Sequence, residues 1–91
     1  MAPATKVPVR LYTRRWCFYC LAARRLFYRL GVEFEETRLD GRPQLRREIS
    51  EQAGNWPTVP MIFVGDIFVG GYREAASLHR RSELFGMCFP D

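Results

Sequence analysis

Cys17 and Cys20 stand three residues apart in Cys17-Phe18-Tyr19-Cys20, the segment with the most chemical consequence in the chain. A thiolate, not a thiol, attacks a disulfide, and a free cysteine is mostly protonated in neutral water. A helix N-terminus alters that balance, because its unpaired N–H groups and macrodipole favour negative charge. If Cys17 heads a helix, the i, i+3 spacing places Cys20 one turn inside on the same face, near enough to close a disulfide but more buried. Cys17 then attacks to give a mixed disulfide, and Cys20 resolves it by expelling the bound partner. Arg14, three residues upstream, adds a fixed positive charge that favours the thiolate or holds an anionic ligand. Two other readings of the pair stay open. It is half of a zinc site completed by His79 and Cys88, although at no standard spacing, or it is two inert core thiols, against which the neighbouring Arg14 and Arg15 count.

Thr58-Val59-Pro60 is a second candidate. A Pro opening an apolar strand cannot donate to the ladder, and a cis peptide in a tight bend is one way to place it. Such a bend leaves the Val59 N–H and C=O free to pair with an extended peptide. An ordinary trans-Pro at a strand start is the plainer alternative. Gly70-Gly71 before a helix allows close backbone approach and offers N–H groups to a carboxylate, or is merely a turn.

Those residues need elements to hold them. Val7 to Tyr12 is a β-branched and aromatic run broken by Pro8, read as a short strand whose end carries Cys17 toward the next element. From Phe18 the apolar residues Leu21, Ala22, Leu26 and Leu30, with Ala23 and Phe27 beside them, recur at threes and fours, and Gly31 caps the helix they define. Val32 to Leu39 alternates imperfectly and is read as a second strand. Asp40-Gly41 is a turn, Arg42-Pro43 opens a helix through about Ala53, and Gly54-Asn55 stops it. Val59 to Val64 and Ile67 to Val69 flank Gly65-Asp66 as a hairpin, and Tyr72 to about Leu84 forms a last helix. The order βαβαββα implies an α/β fold: a four-stranded mixed sheet with helices on both faces, parallel across the first crossover and antiparallel in the hairpin. Phe27, Phe34, Phe63 and Phe68 read as core fillers, and His79 as a surface or capping residue.

The 91 residues are expected to form one domain, with 47% hydrophobic and 26% charged residues, unlike a disordered or collagen-like chain. No apolar run approaches the roughly 20 residues that cross a bilayer, so no membrane partner is expected. The opening residues carry no apolar stretch after their charge and read as no secretory signal, so the chain is expected in the cytoplasm. Net charge is +4, and 13 of the 14 basic residues are Arg. They occur as scattered pairs with acids between them, like a solvated surface rather than a nucleic-acid stripe, so no nucleic acid is expected and a small anionic partner fits better. Three cysteines are too few, and odd in number, for a disulfide scaffold. Cys88, placed beyond the last helix, reads as a bystander, or as a thiol that forms a mixed disulfide or pairs between chains when oxidised.

The ordered set Tyr12-Thr13-Arg14, Cys17-Phe18-Tyr19-Cys20, Asp40-Gly41, Thr58-Val59-Pro60 and Phe68-Val69-Gly70-Gly71 resembles the glutaredoxins, a thioredoxin-fold family, over about residues 7 to 85. The resemblance implies a glutathione-dependent thiol-disulfide oxidoreductase with Cys17 and Cys20 as its catalytic pair. Glutathione would be its co-substrate, with no tightly bound cofactor, and its partners would be disulfide-containing or glutathionylated proteins, met by a monomer. It further implies that Arg14 stands where the family usually has a Lys, that Arg46 contacts the glycyl carboxylate of glutathione, and that Tyr19 is the aromatic of the family's motif. The Val59 backbone would pair with the cysteinyl portion, with Thr58 and Pro60 beside it in the glutathione site, and Gly71, Tyr72 and Arg73 would receive the γ-glutamyl group. Phe18 replaces the usual Pro, and Arg73 stands where an Asp commonly holds the γ-glutamyl amine. Asn55-Trp56-Pro57 is similar to the single-cysteine glutaredoxins that hold iron-sulfur clusters. That likeness implies an alternative role in binding a glutathione-ligated [2Fe-2S] cluster, against which Cys20 counts.

Overall fold

The computed structural model describes residues 7–90. The reading of the opening segment as no signal rests largely on residues outside that span. Strand β1 is Val9–Thr13, helix α1 Phe18–Leu30, β2 Glu35–Arg38, α2 Pro43–Gln52, β3 Met61–Val64, β4 Ile67–Gly70, α3 Tyr72–Arg80 and α4 Leu84–Cys88. The sheet order is β2-β1-β3-β4. β1 runs parallel to β2, as the crossover through α1 requires, and antiparallel to β3, which turns back into β4.

Alternation along the two central strands divides the core between the sheet faces. Val9, Leu11, Ile62 and Val64 pack with Ala23, Leu26 and Phe27 of α1, Ala75 of α3, and Leu84 and Cys88 of α4. Tyr12, Met61 and Phe63 point the other way and pack with Ile49, Ala53, Leu39 and Cys20. Both faces are covered, as a four-stranded mixed sheet of the thioredoxin-like type demands. Phe27 and Phe63 are buried in these clusters, whereas Phe34 and Phe68 are only partly so. Among the described residues no helix is long and apolar enough to cross a membrane.

Helix α1 begins and ends where its residues dictate. Cys17 is its N-cap, and Gly31 takes φ 71° at its C-terminus. There the Gly31 N–H donates to Tyr28 O at 3.1 Å and the Val32 N–H to Phe27 O at 3.0 Å. This pair of hydrogen bonds is a Schellman cap, and it claims Val32 as the buried residue that closes the helix. The second strand therefore starts at Glu35, not Val32. The first strand likewise starts at Val9, past Pro8.

Two further expectations are corrected. Leu21 is not part of the apolar stripe of α1: it is exposed, and Cys20 and Ala23 take the buried positions. The last helix is two helices. Ser82 has φ 60°, its N–H donates to His79 O at 2.9 Å, and the Glu83 N–H donates to Leu78 O at 2.9 Å. This is again a Schellman cap, now built on a serine, whose Cβ costs about 1–2 kcal/mol in that conformation. The chain then turns into α4 and lays Leu84 and Cys88 in the core. Cys88 thus lies inside the last helix as a fully buried core residue, not beyond it, while His79 is exposed on α3.

Candidate active site

The loop between β1 and α1 is fastened from the neighbouring strand. The Leu39 N–H donates to Thr13 O at 2.8 Å, and the Arg15 N–H donates to both Asp40 carboxylate oxygens, at 3.1 and 3.0 Å. Arg38 Nε adds a third contact to Asp40 at 3.2 Å. The Arg15 amide first, and then the Arg38 guanidinium, hold the Asp40 carboxyl below its ordinary range. Trp16 then takes φ 53° and turns the chain so that Cys17, extended at φ −121°, caps α1.

Cys17 is half-buried, and its Sγ accepts the N–H of Cys20 at 3.3 Å. Its thiol lies 3.9 Å from Val59 O, to which it donates. Helix N-terminus and Val59 loop thus converge on one sulfur. Cys20 has no exposed surface. Burial, followed by its hydrogen bond with Cys17, pushes the Cys20 thiol up to about 12, against the weaker pull of the Arg14 backbone N–H and the Arg24 guanidinium. One thiol faces solvent; the other can reach only its neighbour.

The exposed sulfur opens on a cleft of about 420 Å³. Every residue marked from the sequence lines it, Cys20 excepted: Arg14, Cys17, Tyr19, Arg46, Thr58, Val59, Pro60, Gly71, Tyr72 and Arg73. The Val59–Pro60 peptide bond is cis. Arg46 Nη2 donates to Pro57 O at 3.4 Å, which lays its guanidinium along the loop before Thr58. That loop is itself held by Ser50, whose Oγ donates to Trp56 O at 2.6 Å. On the opposite wall the rings of Tyr19 and Tyr72 lie 6.3 Å apart, and Arg73 sits 5.9 Å over Tyr19 while Nη2 donates to its hydroxyl at 3.4 Å. A larger hollow of about 630 Å³, lined by Pro8, Tyr28, Val32 and Phe34 among others, contains no nucleophile.

Two more residues line the cleft: Trp56, which the sequence marked only for the cluster alternative, and Glu74, which it did not mark. Trp56 packs edge-on against Phe68 at 5.2 Å, and its buried Nε1 has no hydrogen-bond partner among the described residues. Glu74 accepts the Gly71 N–H through Oε1 at 2.9 Å. The amide that Gly70-Gly71 was expected to offer a ligand carboxylate is therefore already occupied. The signal was present, since a Glu three residues inside a helix start commonly reaches back to the cap N–H. The approach is close: a Cβ on Gly70, at φ 123°, would lie 2.7 Å from Glu74 Cβ. Only glycine fits there. The zinc alternative finds no geometry, since Cys88 belongs to the core cluster on the other sheet face and no three His, Cys, Asp or Glu converge among the described residues.

A reachable sulfur backed by a sealed one, on a thioredoxin-like sheet, defines a thiol-disulfide oxidoreductase. Comparison with known proteins narrows the class. The glutaredoxin family profile matches residues 9–69. A glutaredoxin of Pseudomonas aeruginosa is 44% identical over 77 residues, covering 85% of this chain and 90% of that protein. The solution structure of a Brucella melitensis glutaredoxin superposes with a TM-score of 0.84 at 36% identity, covering 97% of this chain and 95% of the other. A buckwheat glutaredoxin-glutathione complex superposes with a TM-score of 0.83 at 26% identity, covering 90% and 76%. The chain belongs to the glutaredoxin family, whose members use glutathione as co-substrate.

Proposed function

We propose that the protein reduces glutathione mixed disulfides and protein disulfides, with Cys17 as the attacking sulfur and Cys20 as the resolving one. The observation that carries this reading is the unequal placement of the pair: Cys17 faces the cleft and Cys20 is sealed one helical turn below. In the first reaction the Cys17 thiolate attacks the glutathione sulfur of a mixed disulfide. A bond forms between those sulfurs, the substrate sulfur leaves as a thiolate and takes a proton, and a second glutathione thiolate then releases glutathione disulfide and regenerates Cys17. In the second reaction Cys17 attacks a protein disulfide. Cys20 gives up its proton and attacks Cys17 Sγ, the substrate leaves as a dithiol, and two glutathione molecules return the Cys17–Cys20 disulfide to thiols.

The charges of the cleft suit glutathione. Arg14, Arg46 and Arg73 face it with one carboxylate, Glu74, against a ligand that carries two carboxylates and one ammonium. Arg73 cannot accept a hydrogen bond from the ammonium, but Glu74 can. Under this reading Glu74 takes the γ-glutamyl amine, Arg46 the glycyl carboxylate, and Val59 the cysteinyl backbone. The protein works as one domain and as a monomer in the cytoplasm, on disulfide-bearing or glutathionylated proteins.

A second reading is a dimer that holds a [2Fe-2S] cluster through Cys17 of each copy and two glutathione thiols. The placement of Cys17 suits it, since one thiolate per chain reaches the surface, and Trp56 lines the same cleft. The two readings separate on variants and colour. Cys17→Ser is expected to lose all turnover, and Cys20→Ser to lose protein-disulfide reduction while keeping removal of glutathione. Wild-type behaviour of Cys20→Ser on both substrates contradicts the resolving role. A brown, glutathione-dependent dimer on anaerobic purification favours the cluster; a colourless monomer favours the enzyme.

A further inference from the structure

The two residues flanking Cys17 in the chain, Trp16 and Phe18, are both 88% exposed. Neither lines the glutathione cleft. Trp16 borders a separate hollow of about 290 Å³ with Arg14, Arg15, Arg24 and Arg38. Phe18 borders another, of about 310 Å³, with Leu21, Arg25 and Arg29 among its walls. No acidic side chain lines either one. Arg24 and Arg38 are matched by Glu36 and Asp40, at 2.6 and 3.2 Å, but Arg14, Arg15, Arg25 and Arg29 form no ion pair among the described residues. The nucleophile thus sits in an apolar centre with a rim of unmatched guanidinium groups. Aromatic side chains at the centre of a charged rim are the usual anatomy of a protein-binding surface, and each ring offers about 150–250 Å² to a partner.

We propose that Trp16 and Phe18, with the arginines beside them, dock the protein substrate, and that the segment they fit carries acidic residues beside the cysteine attacked by Cys17. The proposal rests on the oxidoreductase reading above and adds a substrate class to it. Charge complementarity selects acidic flanks, because an opposing Lys or Arg would meet guanidinium groups on either side of the sulfur. A nucleic acid also suits arginine and aromatic rings, but the surface surrounds an atom that reacts with sulfur, so its occupant brings a sulfur to it.

The test compares three substrates in a glutathione-coupled assay: a glutathionylated peptide with Asp and Glu beside its cysteine, the same peptide with Lys there, and a mixed disulfide of glutathione with a small uncharged thiol. At low salt the acidic peptide should exceed the basic one in kcat/KM by about tenfold, the gap narrowing as salt screens the rim. Arg25→Glu should cancel or invert that preference, and Phe18→Ala should lower kcat/KM on both peptides several-fold. Neither side chain lines the glutathione cleft, so neither variant should change turnover of the small disulfide. Equal kcat/KM for the two peptides in the wild type, or a preference that survives Arg25→Glu, overturns the docking surface alone. So does a single-stranded oligonucleotide that binds through Arg25 when the peptides are not distinguished. No turnover of the small disulfide overturns the oxidoreductase reading, and the docking surface with it.

Discussion

Asp40 grips the backbone amide of Arg15 with both carboxylate oxygens, from the end of the neighbouring strand, and so sets the turn that delivers Cys17 to its helix. An acidic side chain that stays about one-third exposed acts here as a clasp on the loop that carries Cys17.

The clasp gives the protein an acid-sensitive contribution to stability. Because the Asp40 carboxyl is held below its ordinary value of 3.8, the folded protein binds that proton less readily than the unfolded chain. The contribution is present above about pH 4 and is lost as pH falls through the folded value. Asp40→Asn should therefore lower the urea midpoint at neutral pH, and the difference from wild type should shrink at about pH 3. Turnover of a glutathione mixed disulfide should fall several-fold in the same variant. A midpoint difference that is unchanged across that range contradicts the role of the carboxylate.

Cys20 has the opposite dependence. In the reduced protein its thiol is pushed up to about 12, with burial as the first cause; burial persists when Cys17 is engaged in a mixed disulfide, while the part due to the Cys17 thiol falls away, so its reactive form stays scarce at neutral pH. Rapid-mixing measurement of the intramolecular step should show a rate that climbs about tenfold per pH unit between about pH 7 and 9 without levelling. A plateau inside that range contradicts the buried-thiol account. The same shift holds the proton more tightly in the folded state. Stability from this group is thus full below the ordinary value of 9.0 and declines as pH rises toward about 12, and Cys20→Ser should decline less steeply.

Glu74 is the carboxylate best placed to receive an ammonium group in the cleft, with Oε1 already on the Gly71 N–H. Glu74→Gln should raise KM for glutathionylated substrates by about three- to tenfold and leave kcat nearly unchanged. A fall in KM would mean that the carboxylate instead repels the ligand, and would remove the amine-binding role.

Much of this arrangement was readable from residue types. The helical period after Phe18, the Gly31 stop, the Gly65-Asp66 hairpin and the spacing of Cys17 and Cys20 are local signals, and the structure follows them. The cleft residues came from an ordered motif, and they converge because the Val59 loop and the head of α3 meet the head of α1 beside the sulfur. What stayed hidden depends on contacts that periodicity does not carry. Ser82 ends α3 in a conformation usually left to glycine, so nothing in its type announces the break before α4. Val32 alternates like a strand residue yet closes a helix cap. Leu21 fits the helical period, but Cys20 takes the inward position beside it, because the second thiol must lie beneath the first. The Asp40 clasp joins residues whose proximity exists only once β2 pairs with β1.

The exposed placement of Cys17 makes it the sulfur expected to react first. The reduced protein is mixed with limiting glutathione disulfide and quenched with acid, and the adduct is mapped by mass spectrometry of its peptides. Glutathione is expected on Cys17 alone, persisting in Cys20→Ser and giving way to a Cys17–Cys20 disulfide in the wild type. Glutathione appearing first on Cys20 or Cys88, or an adduct formed equally well in Cys17→Ser, would contradict it.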